Sequence, residues 1–197
     1  MMNRYIRENN LFPLTERDIE VFGNAVKHPD DERLTHHAIK DKSILYTDFT
    51  KNMLRLANIL DLDVSSITAF TGKAGEECLP HIDGEPDRSY SWRLAYYAKG
   101  NNSFLNWWMQ GPVIEHRALE LDNKREKEGD ETPTGYSVID TKEILFTQPI
   151  NMKSAFVRTD IPHSVDMTDA TEDRLTLSAT FFPHITWYEL NEKLDRL

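Results

Sequence analysis

The segment CLPHIDGEPD sets His81 and Asp83 two residues apart. In an extended strand that spacing points both side chains to one face, so an imidazole and a carboxylate could reach the same ion. Such a pair suits a borderline divalent metal. One further ligand would complete a two-histidine, one-carboxylate face that leaves coordination positions open. His28-Pro29-Asp30 repeats the spacing, but proline disfavours a regular strand there, and the neighbouring Asp31 and Glu32 mark a charged loop. His81 and Asp83 are therefore the candidate pair.

A second cluster lies downstream in DIPHSVDMTDATEDRLTLSATFF, where His163 precedes a strand pattern by about ten residues. Alternation puts Arg174, Thr176, Ser178 and Thr180 on one face and Leu175, Leu177, Ala179 and Phe181 on the other. Two readings of the polar face stay open. It meets water, as in a half-exposed antiparallel sheet, or it lines a cavity. In the cavity, Arg174 would present its guanidinium fork to a buried carboxylate and Thr176 would add a hydrogen bond. Only Arg33 and Arg174 begin an Arg-x-Ser/Thr pattern, and only Arg174 follows a histidine at this interval.

These residues need elements to hold them. Thr15 followed by Asp18 resembles a capping box, and Ile19, Phe22 and Val26 at helical spacing predict a helix over 15–28. A second helix is expected from Asp48, with Phe49, Met53, Leu54, Ala57 and Leu60 on its apolar side. After Leu60, the runs VSSITAF, YSWRLAYYA, SFLNWW, PVIEHRAL, EILFT, SAFVRT and RLTLSATFF read as short strands without intervening helices. That texture predicts a mainly β sandwich or barrel. TWYELNEKLDRL reads as a terminal helix, and the polar stretch 122–134 as a solvated loop or a lid. The expectation is one domain over 1–197: helical support over 1–60, a β core over 61–183 and a C-terminal helix over 184–197.

Composition narrows the partners. The 197 residues include 33 acidic and 23 basic ones, a net charge of −10 that disfavours nucleic acid and anionic membranes. Apolar residues at 39% fit a globular chain. Cys78 is the sole cysteine, which excludes an internal disulfide and any zinc site needing two thiolates. The opening MMNRYIRENNLFPLTERD lacks a continuous apolar run, so neither a signal peptide nor an anchor is expected and a cytoplasmic location is. Asn101-Asn102-Ser103 then matches the glycosylation pattern by chance.

The order His81-x-Asp83, His163, then Arg174-x-Thr176, on a β-rich chain with N-terminal helices, resembles the iron(II)- and 2-oxoglutarate-dependent dioxygenases over roughly residues 60–183. The resemblance implies a double-stranded β-helix, also called a jelly-roll or cupin-like fold. It implies His81, Asp83 and His163 as ligands of Fe(II), and Arg174 and Thr176 as the anchor for the distal carboxylate of 2-oxoglutarate. Serine is commoner than threonine in the latter place. Dioxygen would be the second cosubstrate, succinate and carbon dioxide would be released, and a peptidyl or small-molecule substrate would be hydroxylated. No catalytic side chain beyond the metal centre is implied. Two alternatives remain: a cupin-like metal enzyme that does not use 2-oxoglutarate, and a non-catalytic jelly-roll binding module.

Further side chains could face the site. Arg93 could contact substrate or cosubstrate, or form a structural ion pair. Trp107 and Trp108 alternate along a strand, so one could line the pocket. Tyr97 and Asn106 could reach the cosubstrate. Other matches fail: Asp61-x-Asp63-x-Ser65 lacks the glycine and glutamate of a calcium loop. Gly72-Lys73 lacks the rest of a phosphate loop, and His36-His37 would diverge on a strand. Nothing marks Cys78 as a nucleophile.

Overall fold

The computed structural model describes residues 4–9, 14–25, 34–38, 48–85, 88–117, 135–151 and 153–197. In chain order the elements are β1 (Ile6–Glu8), α1 (Glu16–Ala25), β2 (Leu34–Ala38), α2 (Asp48–Leu60), β3 (Asp63–Gly72), β4 (His81–Glu85), β5 (Arg88–Ser89) and β6 (Trp92–Lys99). They continue with β7 (Phe104–Trp108), β8 (Val113–Arg117), β9 (Tyr136–Ile139), β10 (Ile144–Pro149), β11 (Ser154–Arg158), β12 (His163–Asp166), β13 (Arg174–Phe182) and α3 (Trp187–Leu194).

The helices start where the caps place them. The backbone N–H of Asp18 donates to Thr15 Oγ1 while the Thr15 N–H donates to Asp18 Oδ2, closing the expected box. Asp18 Oδ1 also accepts from the Phe49 N–H, which ties α1 to the first turn of α2. In α2 the buried side chains are Phe49, Thr50, Met53, Leu56, Ala57 and Leu60. Leu54, expected on this face, is instead 57% exposed, because the 3.6-residue period carries it about a third of a turn away while Leu56 falls in line. Thr186 and Glu189 form a second capping box at α3, and Lys193 Nζ donates to the Leu60 carbonyl at the end of α2 at 2.7 Å.

Two antiparallel sheets form the body. One runs β1-β11-β6-β13-β3-β2 and the other β10-β7-β12-β4-β9-β8, with β5 paired to β4. The strands β3, β4, β6 and β7 alternate between the sheets, β10 stays beside β7, and β11, β12 and β13 alternate again. That is jelly-roll winding, the expected mainly β double-stranded β-helix. The first 60 residues are not helical throughout, since β1 and β2 add strands to the two edges of the first sheet. His163, expected ahead of a strand, begins one of its own. The stretch 122–134, read as a loop or lid, and the pair His28 and Asp30 lie outside the described residues.

The faces of the first sheet divide the core. Leu94, Tyr96, Phe156, Leu177, Ala179 and Phe181 pack with Phe49, Met53, Leu56, Trp187 and Leu190 beneath the helices. The other face looks toward the second sheet, where Ala95, Leu105, Trp107, Val157, Val165 and Met167 pack together. Strand alternation therefore sends Arg93, Ala95 and Tyr97 of β6, and Arg174, Thr176 and Ser178 of β13, into the roll. The polar face of β13 does not meet water. No helix among the described residues is long and apolar enough to cross a membrane.

Candidate metal centre

His81 and His163 sit directly opposite each other across β4 and β12, and Asp83 follows two residues along β4 on the same face. Register therefore brings His163 to a pair that lies 80 residues upstream. Their candidate ligand atoms all fall within 4.8 Å of one another, the ring centroids of His81 and His163 are 4.6 Å apart, and His81 Nε2 lies 3.9 Å from Asp83 Oδ1. All three are buried.

The hydrogen bonds around these groups fix which atoms face inward. His81 Nδ1 is 2.8 Å from the Leu79 carbonyl, and His163 Nδ1 is 3.1 Å from the Ile161 carbonyl. A carbonyl only accepts, so each Nδ1 carries the proton and each Nε2 offers its lone pair to the centre. Asp83 Oδ2 accepts from Arg93 Nε. Burial would raise the Asp83 pKa, but the Arg93 charge, helped by His163 and His81, holds it below the usual carboxylate range. Burial and the neighbouring His81 push His163 down to about 4. Burial acts against the charge on His81 too, yet Cys78, Asp83 and the Leu79 carbonyl outweigh it and bring His81 up to about 9. With no metal bound, His81 thus carries a second proton at neutral pH, which must leave before its Nε2 can ligate, while His163 is neutral.

One cavity joins this triad to Arg174. Its lining includes His81, Asp83, Arg93, His163, Tyr97, Arg174, Thr176 and Ser178, with Phe70, Leu105, Val157 and Val165 as apolar wall. Its volume is about 80 Å³, several times the roughly 10–15 Å³ one water occupies on that measure. Arg174 is 8% exposed, its Nε donates to Thr176 Oγ1 at 2.7 Å, and its guanidinium lies 5.2 Å from the Tyr97 ring centroid. Arg174 Nη1, Tyr97 Oη and Ser178 Oγ are buried without a hydrogen-bond partner. Leaving such groups unsatisfied costs about 1–3 kcal/mol each. Burial lowers the Arg174 pKa, and burial pushes the Tyr97 phenol up to about 12 although Arg174 pulls it back, so the phenol is a neutral donor.

The other named side chains divide. Arg93 and Tyr97 line the cavity, and Arg93 also makes the ion pair that was its alternative reading. Neither tryptophan lines it: Trp107 is fully buried against Tyr5 and Phe146, and Trp108 Nε1 donates to Ser164 Oγ. Asn106 is turned away to accept from Thr147 Oγ1. The sequence places Ser178 only on the polar face, and its position four residues after Arg174, on the same side of the strand, is the available signal. Cys78 is partly buried beside His81 and Val165.

No protein-family model matches the chain, and comparison with curated proteins gives no match. Among solved structures the chain is similar to HygX from Streptomyces hygroscopicus with nickel and 2-oxoglutarate bound, at 13% identity over 89% of this chain and 81% of that one, with a TM-score of 0.45. It is similar to the non-heme alpha-ketoglutarate-dependent carbocyclase SnoK from nogalamycin biosynthesis, at 13% identity over 85% and 76%, TM-score 0.49. The viral collagen prolyl hydroxylase vCPH from Paramecium Bursaria Chlorella virus-1 matches at 13% identity over 91% and 96%, TM-score 0.43. Identities and TM-scores this low tie no activity to this chain.

Proposed function

We propose that this protein is an iron(II)- and 2-oxoglutarate-dependent dioxygenase that hydroxylates a small-molecule or peptidyl substrate with release of succinate and carbon dioxide. The observation that carries the reading is the trio of unpartnered buried groups, Arg174 Nη1, Tyr97 Oη and Ser178 Oγ, in the same cavity as the His81, Asp83 and His163 cluster. A buried cation with two further donors is costly in an empty site and fits a carboxylate. A metal enzyme without a keto acid does not require Arg174, and a binding module does not require the intact trio His81, Asp83 and His163.

In this reading His81 Nε2, His163 Nε2 and Asp83 Oδ1 hold the metal, and the Leu79 and Ile161 carbonyls keep the imidazoles oriented. Thr176 accepts from Arg174 Nε, which fixes the direction of the guanidinium, and its own hydroxyl proton stays available to donate to the carboxylate. Arg174, Tyr97 and Ser178 then hold the distal carboxylate of the cosubstrate. Phe70, Leu105, Val157 and Val165 keep water from the reacting groups. When bound, iron and 2-oxoglutarate supply an oxidative decarboxylation that consumes dioxygen, yields succinate and carbon dioxide, and leaves one oxygen atom for the substrate.

Succinate formation under air with iron(II) and 2-oxoglutarate tests this. We expect succinate above the metal-free background in the wild type, stimulated further by a true substrate, and loss of it in Asp83→Ala. Equal succinate in wild type and variant would contradict the assignment.

A further inference from the structure

We propose that the primary substrate presents a carboxylate to this centre, and that the terminal nitrogens of Arg93 hold it. The inference rests on the dioxygenase reading and adds the chemical class of the substrate.

Arg93 has a second half that its ion pair does not use. Among the described residues its one hydrogen bond runs from Nε to Asp83 Oδ2, so Nη1 and Nη2 keep their donors. Both nitrogens are on a side chain that lines the cavity and retains 13% exposure. The guanidinium is also held in place, 4.9 Å from the Tyr90 ring centroid and 5.7 Å from that of Phe70. A planar fork fixed at one edge and flanked by rings is prepared for a planar acceptor at its free edge.

Charge balance points the same way. Among the described residues, the ionisable ones lining the cavity are Asp83, Arg93 and Arg174, besides the two histidines and the neutral Tyr97. Two arginines against one aspartate leave one positive charge in excess. A divalent metal raises the excess to three, and dianionic 2-oxoglutarate brings it back to one. Arg174 is bonded to Thr176 and, in the dioxygenase reading, is taken up by the cosubstrate, so Arg93 is the lining cation left with free donors for a further anion. An uncompensated charge in a water-poor site favours a ligand of opposite sign. One residual charge and a planar fork fit a monoanionic carboxylate better than a phosphate dianion.

The test uses the full chain without oxygen, loaded with iron(II) and saturating 2-oxoglutarate, and follows the visible band of the iron–keto acid chelate. Propanoate, benzoate and N-acetylglycine are each titrated beside their primary amides, with inorganic phosphate as a further arm. The expected result is that at least one acid perturbs the band at a concentration tenfold or more below its amide. Arg93→Gln, which can still donate to Asp83 but carries no charge, should lose that preference. The wild-type comparison stands without the variant. No response to any acid, amides as effective as acids, phosphate more effective than every carboxylate, or an undiminished preference in Arg93→Gln would overturn the proposal while the dioxygenase reading stands. Failure of the wild-type chelate band to form would remove both.

Discussion

Arg93 Nε donates to Asp83 Oδ2, and the other oxygen of that carboxylate, Oδ1, faces His81 Nε2 at 3.9 Å. One oxygen is thus committed to the protein and one is turned to the centre, which favours single-oxygen ligation and leaves more positions open for other ligands. Both side chains are nearly sealed from solvent, at 13% and 11% exposure. Arg93→Met should leave the Asp83 charge unpaired and lower the stability of the metal-free protein by about 3–5 kcal/mol. Urea unfolding measures this, and adding a divalent metal should restore part of the loss. Unchanged stability would mean that the pair is not formed in solution.

Arg174→Met should weaken 2-oxoglutarate binding by roughly 2–5 kcal/mol, the cost of removing one partner from a buried charge pair. Calorimetric titration of the cosubstrate into the metal-loaded protein reads it. An unchanged affinity would take the anchor role away from Arg174.

Tyr97→Phe should move two quantities in opposite directions. The free protein loses an unsatisfied buried hydroxyl and should be equally or slightly more stable. The complex loses a hydrogen bond to a charged acceptor, and 2-oxoglutarate should bind about 1.5–3 kcal/mol more weakly. A purely structural tyrosine would show lower stability and unaltered cosubstrate binding.

The raised pKa of His81, about 9, sets a direction for metal binding. Below that pH the metal-free site carries a proton that the ion must displace, so apparent affinity should climb about tenfold per pH unit between pH 6 and 8 and level off above 9. Competition with a chelator across that range measures the slope. If only His163, near 4, controlled binding, the affinity would be flat above about pH 5.

Much of this architecture could be read from local pattern. Alternation in RLTLSATFF placed Arg174 and Thr176 on one face, and the capping pair at Thr15 marked a helix start. His81 and Asp83 needed only a strand to share a face. His163 is different, because its meeting with His81 depends on the register of β12 against β4, a long-range pairing that no local window contains. The same holds for Tyr97, which stands across from Thr176 in the neighbouring strand. Trp107 could not be assigned from alternation alone, since its face is decided by Tyr5 and Phe146 arriving from elements distant in sequence. Leu54 was misplaced by adjacency to Met53, where the helical period selects Leu56.

The joining of a metal triad to a carboxylate anchor in one hollow is best tested by anaerobic spectroscopy of the protein with iron(II) and 2-oxoglutarate. The wild type should develop a weak visible charge-transfer band, and His81→Ala, Asp83→Ala and His163→Ala should each abolish it. A featureless spectrum at saturating cosubstrate, or a band that survives in any of the three variants, would contradict the assignment.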